Sequence, residues 1–418
     1  MQYVDKINLE MGGQDAKLYS TTSSDIKAMA LKYDLHLLDA QVRHLGTDRN
    51  MQILQNIYDF VKDKIDIKFY ESVQGITGKE NDFTVITDKD EYHCSNAVVA
   101  AGRSGSKWIS EICDNFGIKR RSNRVDIGVR VEIPAAVFEH ITSKVYESKI
   151  VYRTKKYGDL VRTFCMNPYG EVVTENTNGI ITVNGHSYAD PALRTENTNF
   201  ALLVSNTFSE PFKDSNAYGE SIARLSNMLG GGVLVQRFGD LVAGRRTNEH
   251  RFGQTFLNPT LKATPGDLSL VIPKRQLDDI IEMIYALDKI APGMANIDTL
   301  LYGVEVKFYN SRVDVDENLE TAVKGLYVLG DGSGVTHSLS QASASGVTLA
   351  DHTTEQFDLA IYSGLYATFY YMQACYPYLK ETQGSVINFA SGAGLFGNYG
   401  QCAYAAAKEG VRGLTRVA

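Results

Sequence analysis

Apolar residues recur at helical spacing over Ser24–Tyr33, Met51–Val61 and Arg275–Leu287, and each stretch predicts an amphipathic helix. Ile65–Phe69 and Phe83–Ile86 alternate or cluster β-branched and aromatic residues, which predicts strands. Two short runs are apolar throughout, Asn96–Ala101 and Leu326–Leu329. The first closes on Gly102-Arg103-Ser104-Gly105; the second closes on Gly330-Asp331-Gly332-Ser333-Gly334 and precedes a predicted helix, Ser338–Leu349. Beyond Val125 the pattern changes to short β-like runs at Val129–Ile133, Lys149–Tyr152, Glu171–Val173 and Ile180–Val183. That spacing predicts a mixed or antiparallel sheet and not a β/α alternation. His44–Asp48 and Gly230–Gly232 are polar or glycine-rich and predict turns. After Ala350 the character changes again: an aromatic-rich helix over Phe357–Leu379, a strand over Ser385–Ala390 and a helix over Tyr404–Val417. No period of about 20 to 50 residues repeats, which excludes a solenoid.

The 418 residues suffice for two or three domains. Hydrophobic residues at 44% and charged residues at 22% exclude wholesale disorder. A formal charge of -7 argues against a nucleic-acid partner. The basic run Lys119-Arg120-Arg121 is short enough to be a solvated face. Five scattered cysteines form no CxxC pair and no zinc spacing, so no metal site is expected and a reducing, cytoplasmic setting is. No apolar run reaches the ~20 residues a bilayer needs, and the N-terminus lacks an apolar signal core.

The two glycine-terminated strands carry the first candidate chemistry. Glycine lets backbone pass close to a ligand because it has no Cβ. Asp331, at the C-terminal end of a buried strand and just before a helix, stands where open α/β sheets bind ligands. A carboxylate there accepts hydrogen bonds from ribose or ribityl hydroxyls, and the helix N-terminus favours phosphate. The bland alternative is an aspartate capping its helix.

Six segments in order then resemble a bacterial family of uncharacterised FAD-dependent dehydrogenases. They are Val42–Asp48, Ala100–Gly105, Asp126–Glu132, Arg162–Met166, Val183–Ser187 and Gly325–Gly346. The resemblance implies FAD as cofactor, with Gly102, Gly330, Asp331, Gly332 and Gly334 as its contacts. Candidates facing a small-molecule substrate are Arg130, Arg162 and His337, with His44 and Cys165 as catalytic candidates. For the histidines the competing reading is a satisfied polar side chain, for Cys165 a buried apolar thiol, and for the arginines structural salt bridges. Where the family has a second cysteine and a glycine pair, this chain has Asn167-Pro168-Tyr169-Gly170, so no cysteine-pair chemistry is expected. The family's opening strand and GxGxxG turn are not found before His44, and the chain is expected to start inside the family.

Residues 351–418 resemble the middle of a short-chain dehydrogenase/reductase. Tyr404 and Lys408 stand at i and i+4 of one helix, where the ammonium stabilises a phenolate for acid–base work. Ser391 follows the predicted strand and would bond a substrate carbonyl. Gly364 stands where the family has an asparagine. Gly392–Gly397 matches GxGxxG, but no acidic residue follows about 20 positions later, so it is read as an active-site loop and not a cofactor turn.

The expected fold is α/β (α+β overall): an incomplete FAD-binding, Rossmann-like domain with an inserted mixed β-rich substrate domain, plus a partial short-chain-dehydrogenase fragment. The expected division is 1–119 and 301–350 for the FAD-binding domain, 120–300 for the substrate domain and 351–418 for the fragment. The leading function is an FAD-dependent oxidoreductase without nucleic-acid or membrane partners. The alternatives are an inactive fused chain and an NAD(P)-dependent short-chain reductase using Ser391, Tyr404 and Lys408. The missing cofactor turn counts against the last.

Overall fold

The computed structural model describes the chain except residues 1, 15, 23–24, 45–46, 178, 189, 209–213, 352–360, 384, 392–401 and 418. Part of the predicted turn at His44–Asp48, the start of the aromatic helix and the Gly392–Gly397 loop therefore lie outside the described residues.

The chain forms two compact units, one of residues 5–69 and 122–310, the other of 1–4, 70–121 and 311–418. The strands used below are β1 (Leu35–Leu37), β2 (Ala97–Val99), β3 (Val125–Pro134), β4 (Ile150–Arg153), β5 (Leu160–Asn167), β6 (Glu171–Thr177), β7 (Ile180–His186), β8 (Asn197–Asn206), β9 (Leu234–Arg237), β10 (Thr264–Pro265), β11 (Leu300–Phe308) and β12 (Leu326–Val328). The helices are α1 (Asp25–Leu31), α2 (Ser106–Asn115), α3 (Ala135–Val145), α4 (Ser215–Gly230), α5 (Lys274–Asp288), α6 (Leu339–Asp351), α7 (Ala367–Thr382) and α8 (Cys402–Val417).

In the first unit an eight-stranded sheet runs β10-β9-β11-β3-β8-β5-β4-β1, antiparallel except for β9 with β10. The alternation in Val125–Ile133 sends Val125, Ile127, Val129, Val131 and Ile133 to one face, where they join Phe138 of α3, Ala223 of α4 and Ile280, Met283 and Leu287 of α5 in one core. Gly219 of α4 allows this approach, because a Cβ there would stand about 3 Å from Val306, Phe308 and Val125 side-chain atoms. The other face carries the even positions of β3, and the hairpin β6–β7 packs over part of it through Val172 and Val183 against Leu300 and Tyr302.

In the second unit β2 and β12 pair in parallel, Leu326 opposite Ala97 and Val328 opposite Val99. A three-stranded meander of Val73–Lys79, Asp82–Thr87 and Glu91–Cys94 contributes Ile76 and Phe83 to the same core as α2's Ile109 and Ile112. At the C-terminal end, α7 and α8 follow a single π-turn at Tyr362–Tyr366.

Two predicted strands are not strands. Ile65–Phe69 is irregular, with Ile65 and Phe69 each 58% exposed, because no neighbouring strand takes up its ladder. Ser385–Ala390 is extended but unpaired in any ladder, and Ile387 and Phe389 are more than four-fifths exposed. A strand exists only through its partner, and among the described residues neither stretch has one.

Candidate active site

The glycine turns after β2 and β12 meet as their strands do. Leu329 N donates to Val99 O at 2.9 Å and Gly332 N donates to Ala101 O at 3.1 Å. A Cβ on Gly332 would stand 2.5 Å from Ala101 O and 2.6 Å from Gly102 O, so only glycine lets the turns close on each other. Beside Gly102 the space is open to 4 Å. Gly330 and Gly334 both take positive φ, 79° and 66°, which bends the chain sharply on either side of Asp331. Thr336 Oγ1 donates to Asp331 Oδ1 at 2.7 Å, which holds the half-buried carboxylate at the rim of the turn. The structure thus brings Gly102, Gly330, Asp331, Gly332 and Gly334 together. His337 is half-buried just beyond, its backbone N–H bonded to Gln341 Oε1 of α6.

The charged face of the large sheet holds the other sequence-derived candidates. Arg130 is completely buried, which corrects its reading as a substrate contact. Its Nη1 donates to both Glu305 oxygens at 3.0 and 2.9 Å, Nε donates to Asn199 at 2.9 Å and Nη2 donates to Cys165 O at 2.6 Å. A guanidinium so enclosed, with four of its five N–H donors engaged within the sheet, is a structural ion pair and is not open to a ligand. Burial pushes the Glu305 carboxyl above the usual range, and the Arg130 charge offsets this only in part. Cys165 contributes its carbonyl to this network from a β-bulge, at φ 46°. Its sulfur lies 3.7 Å from Asn167 Nδ2 and 4.0 Å from Asn184 Oδ1. The His44 ring packs at a tilt against Tyr146, centroids 4.7 Å apart, and its Nε2 sits 3.2 Å from Ser187 Oγ.

Further along the same face, Arg162 is 24% exposed in its side chain and its Nη2 donates to Asp126 Oδ2 and to Tyr309 Oη, each at 2.6 Å. Tyr309 in turn donates to Asp126 at 2.7 Å. Burial opposes ionisation of Asp126, yet Arg162 and bonds from Ser205 and Tyr309 hold its carboxyl below the usual range. Burial, then the charge of Asp126, pushes the Tyr309 phenol up to about 12. Sequence reasoning singled out Arg162 but not Asp126, Tyr309, Glu305 or Lys307. The signal for Asp126 was present, since Asp126, Arg130 and Glu132 alternate with β-branched residues in a strand buried on both faces. A polar row in such a strand calls for a partner network. A separate cavity of about 490 Å³ lies beside the β6–β7 hairpin, lined among others by Thr174, Asn176, Gly231, Glu249 and Lys262, and none of the predicted site residues borders it.

In the C-terminal segment Lys408 Nζ donates to Phe389 O at 3.0 Å, two residues before Ser391. Lys408 and the Ser391 segment are therefore adjacent; the Tyr404 side chain lies outside the described residues. Gly364 has a structural use: a Cβ there would be 3.0 Å from Ala407 Cβ, and Gly410 receives Leu365 in the same way. Small residues let the π-turn and α8 cross closely.

Residues 124–308 match the family described as FAD-dependent protein, C-terminal domain-like, and residues 281–418 match the short chain dehydrogenase family. The chain thus joins an FAD-dependent C-terminal-like domain to a short-chain dehydrogenase region, and both families are oxidoreductases. The first match spans the large sheet from β3 to β11, and the overlap at 281–308 falls on α5 and β11 of that sheet. Among curated proteins the chain is 80% identical over 79 residues to a 12alpha-hydroxysteroid dehydrogenase of a Clostridium species, which is 19% of this chain and 30% of that protein. It is 28% identical over 338 residues to an uncharacterized protein of Clostridium beijerinckii, 76% of this chain and 62% of that one. The chain spans less than two thirds of either relative. A salicylate hydroxylase substrate complex aligns over 82% of this chain and 66% of its own, at 10% identity and a TM-score of 0.34, too low to carry an argument. Among the described residues no helix is long and apolar enough to cross a membrane.

Proposed function

We propose that the chain is an FAD-dependent oxidoreductase acting on a small molecule in the cytoplasm. The observation that supports this most is the parallel pair β2–β12, whose C-terminal ends gather Gly102 and Asp331 at one edge. Parallel strands ending in glycine turns are where α/β sheets hold dinucleotides. The residues fit the sugar side of FAD: open space at Gly102 and a carboxylate at the rim. No GxGxxG turn leading from a strand into a helix is found among the described residues, so the diphosphate has no assigned seat. When bound, FAD supplies the hydride or electron chemistry at its isoalloxazine ring. In this reading Asp331 accepts hydroxyl hydrogen bonds, fixed in place by Thr336, and the glycines admit the cofactor against bare backbone.

The test is a fluorescence titration of the flavin-free chain with FAD, followed by the same titration of Asp331→Ala. Saturable binding with a flavin absorbance spectrum is expected, weakened about 10- to 100-fold in the variant by loss of charge-assisted hydrogen bonds. A chain that takes up no flavin, or takes it up equally in both forms, would defeat the reading.

A second reading is favoured by the 80% identity over 79 residues to a hydroxysteroid dehydrogenase and by the match of residues 281–418 to the short chain dehydrogenase family. It would use Ser391, Tyr404 and Lys408 with NAD(P). The Lys408–Phe389 contact supports it, and no seat for a nicotinamide dinucleotide accompanies it among the described residues. An inactive fused chain has no observation of its own in its favour.

A further inference from the structure

The cavity of about 490 Å³ beside the β6–β7 hairpin lies within the first unit and has the size of a small-ligand site. One of its walls is the outer edge of β6. Val172 N donates out of the hairpin to Thr260 Oγ1 at 2.9 Å. Residues of an antiparallel pair alternate between bonding each other and facing away, so Thr174 and Asn176 turn their N–H and C=O outward as Val172 does. Both residues line the cavity, and among the described residues no backbone group outside the hairpin bonds to theirs. An uncovered strand edge is a template for one more strand.

The floor is held open. Asn227 ties the hairpin to the glycine turn that ends α4: its side chain accepts from Ile181 N at 2.9 Å and donates to Ile181 O at 2.7 Å and Gly232 O at 3.1 Å. A Cβ on Gly231 would meet nothing within 4 Å, and one on Gly232 would meet only Ile181 Cδ1 at 4.0 Å. Bare backbone thus leaves room that a side chain would fill. Ile181 and Val233 give the cavity an apolar part. Two charged side chains line it, Glu249 and Lys262, and among the described residues neither pairs with the other or with any third charge. Opposite charges kept apart beside a free strand edge match the two ends of a short peptide.

We propose that the cavity binds a short zwitterionic peptide extended along β6, its amino terminus held by Glu249 and its carboxylate by Lys262. Thr174 and Asn176 are two residues apart, about 7 Å along the strand, so a peptide of about three residues reaches both. The site is separate from the glycine turns and does not rest on the flavin reading.

The experiment titrates the full chain with the tripeptide Ala-Val-Ala by calorimetry at low salt. Saturable binding is expected, about 5-fold weaker for each terminal charge removed by N-acetylation or C-terminal amidation, the scale of an exposed ion pair. Lys262→Met keeps the apolar stem and is expected to weaken the free peptide about 5-fold and the C-terminal amide not at all. Glu249→Gln is expected to weaken the free peptide similarly and the N-acetyl peptide not at all. Both side chains are exposed, so neither variant is expected to change the melting temperature. Successive amides of an extended peptide point in opposite directions. Methylating one of the two amide nitrogens is therefore expected to cost at least about 5-fold, and methylating the other to be tolerated. No binding by the parent, equal binding of the doubly capped peptide, folded variants that bind the free peptide as the parent does, or two methylated peptides that bind alike would each overturn the proposal.

Discussion

Arg130 and Glu305 stand 175 positions apart in the chain and form a bidentate ion pair at 2.9 and 3.0 Å inside the large sheet. The pair joins β3 to β11 side by side, with Tyr302 opposite Arg130 and Glu305 opposite Gly128. Its neighbours, Asn199 and the Cys165 carbonyl, take two more of the guanidinium's donors. Two buried charges so placed are costly to separate and cheap to replace together.

Arg130→Met is therefore expected to destabilise the first unit by about 3–5 kcal/mol, because it leaves Glu305 buried and unpaired. The double variant Arg130→Met, Glu305→Leu is expected to recover most of that loss. Urea denaturation of the three proteins reads this directly. A double variant no more stable than the single one would mean that the remaining network, and not the pair, carries the cost.

Gly332→Val is expected to destabilise the second unit by about 1–3 kcal/mol, the usual cost of forcing atoms into a closed contact. The contact is with the Ala101 and Gly102 carbonyls, which are backbone and cannot swing aside. Thermal melting followed by Trp108 fluorescence, which lies in this unit, would show the loss. An unchanged melting curve would show that the two glycine turns are not held together as described.

Asp279, buried on α5, carries a carboxyl that burial pushes up to about 6, with Thr154 lowering it and the adjacent Asp159 raising it. Its folded-state pKa exceeds the unfolded one, so folding takes up a proton. Stability from this group is present below pH 4 and is lost as pH rises towards 6. Asp159, held low mainly by Arg275, acts in the opposite sense at lower pH. The difference in unfolding free energy between the parent and Asp279→Asn is expected to shift by about 1–3 kcal/mol in the variant's favour from pH 4 to pH 7. A pH-independent difference would assign the raised carboxyl elsewhere.

The flavin-free chain is expected to show no NAD(P)H-dependent reduction of a steroid ketone, and Tyr404→Phe is expected to change nothing. Lys408 Nζ donates to the Phe389 carbonyl, and among the described residues the segment before Ser391 has no strand pairing that would set it against a nicotinamide. NADPH oxidation that disappears in Tyr404→Phe would make the C-terminal segment the working half.

Much of the site was legible because it rests on local rules. An apolar strand closing on glycines foretold both turns, and Asp331 was visible as the carboxylate at a strand end. The β-like run Val129–Ile133 foretold part of β3, since side chains in a strand alternate whatever their neighbours are. Ile65–Phe69 and Ser385–Ala390 misled for the complementary reason: their residues suit a strand, but a ladder needs a second chain segment at hydrogen-bonding distance.

By itself, then, the sequence determined which residues turn, which alternate and which carry charge, because these depend on side-chain volume, backbone freedom and period. Only the tertiary structure decided which charges meet. Glu305 joins Arg130's face through a register shift between Gly303 and Glu305, and the Cys165 carbonyl turns to Arg130 through a bulge between Phe164 and Asn167. Each irregularity changes a strand's register by a residue, and a one-residue shift exchanges the two faces of a sheet. The burial of Arg130 among these partners follows from those shifts, which arise where β3 fits against β11 and β5 against β8.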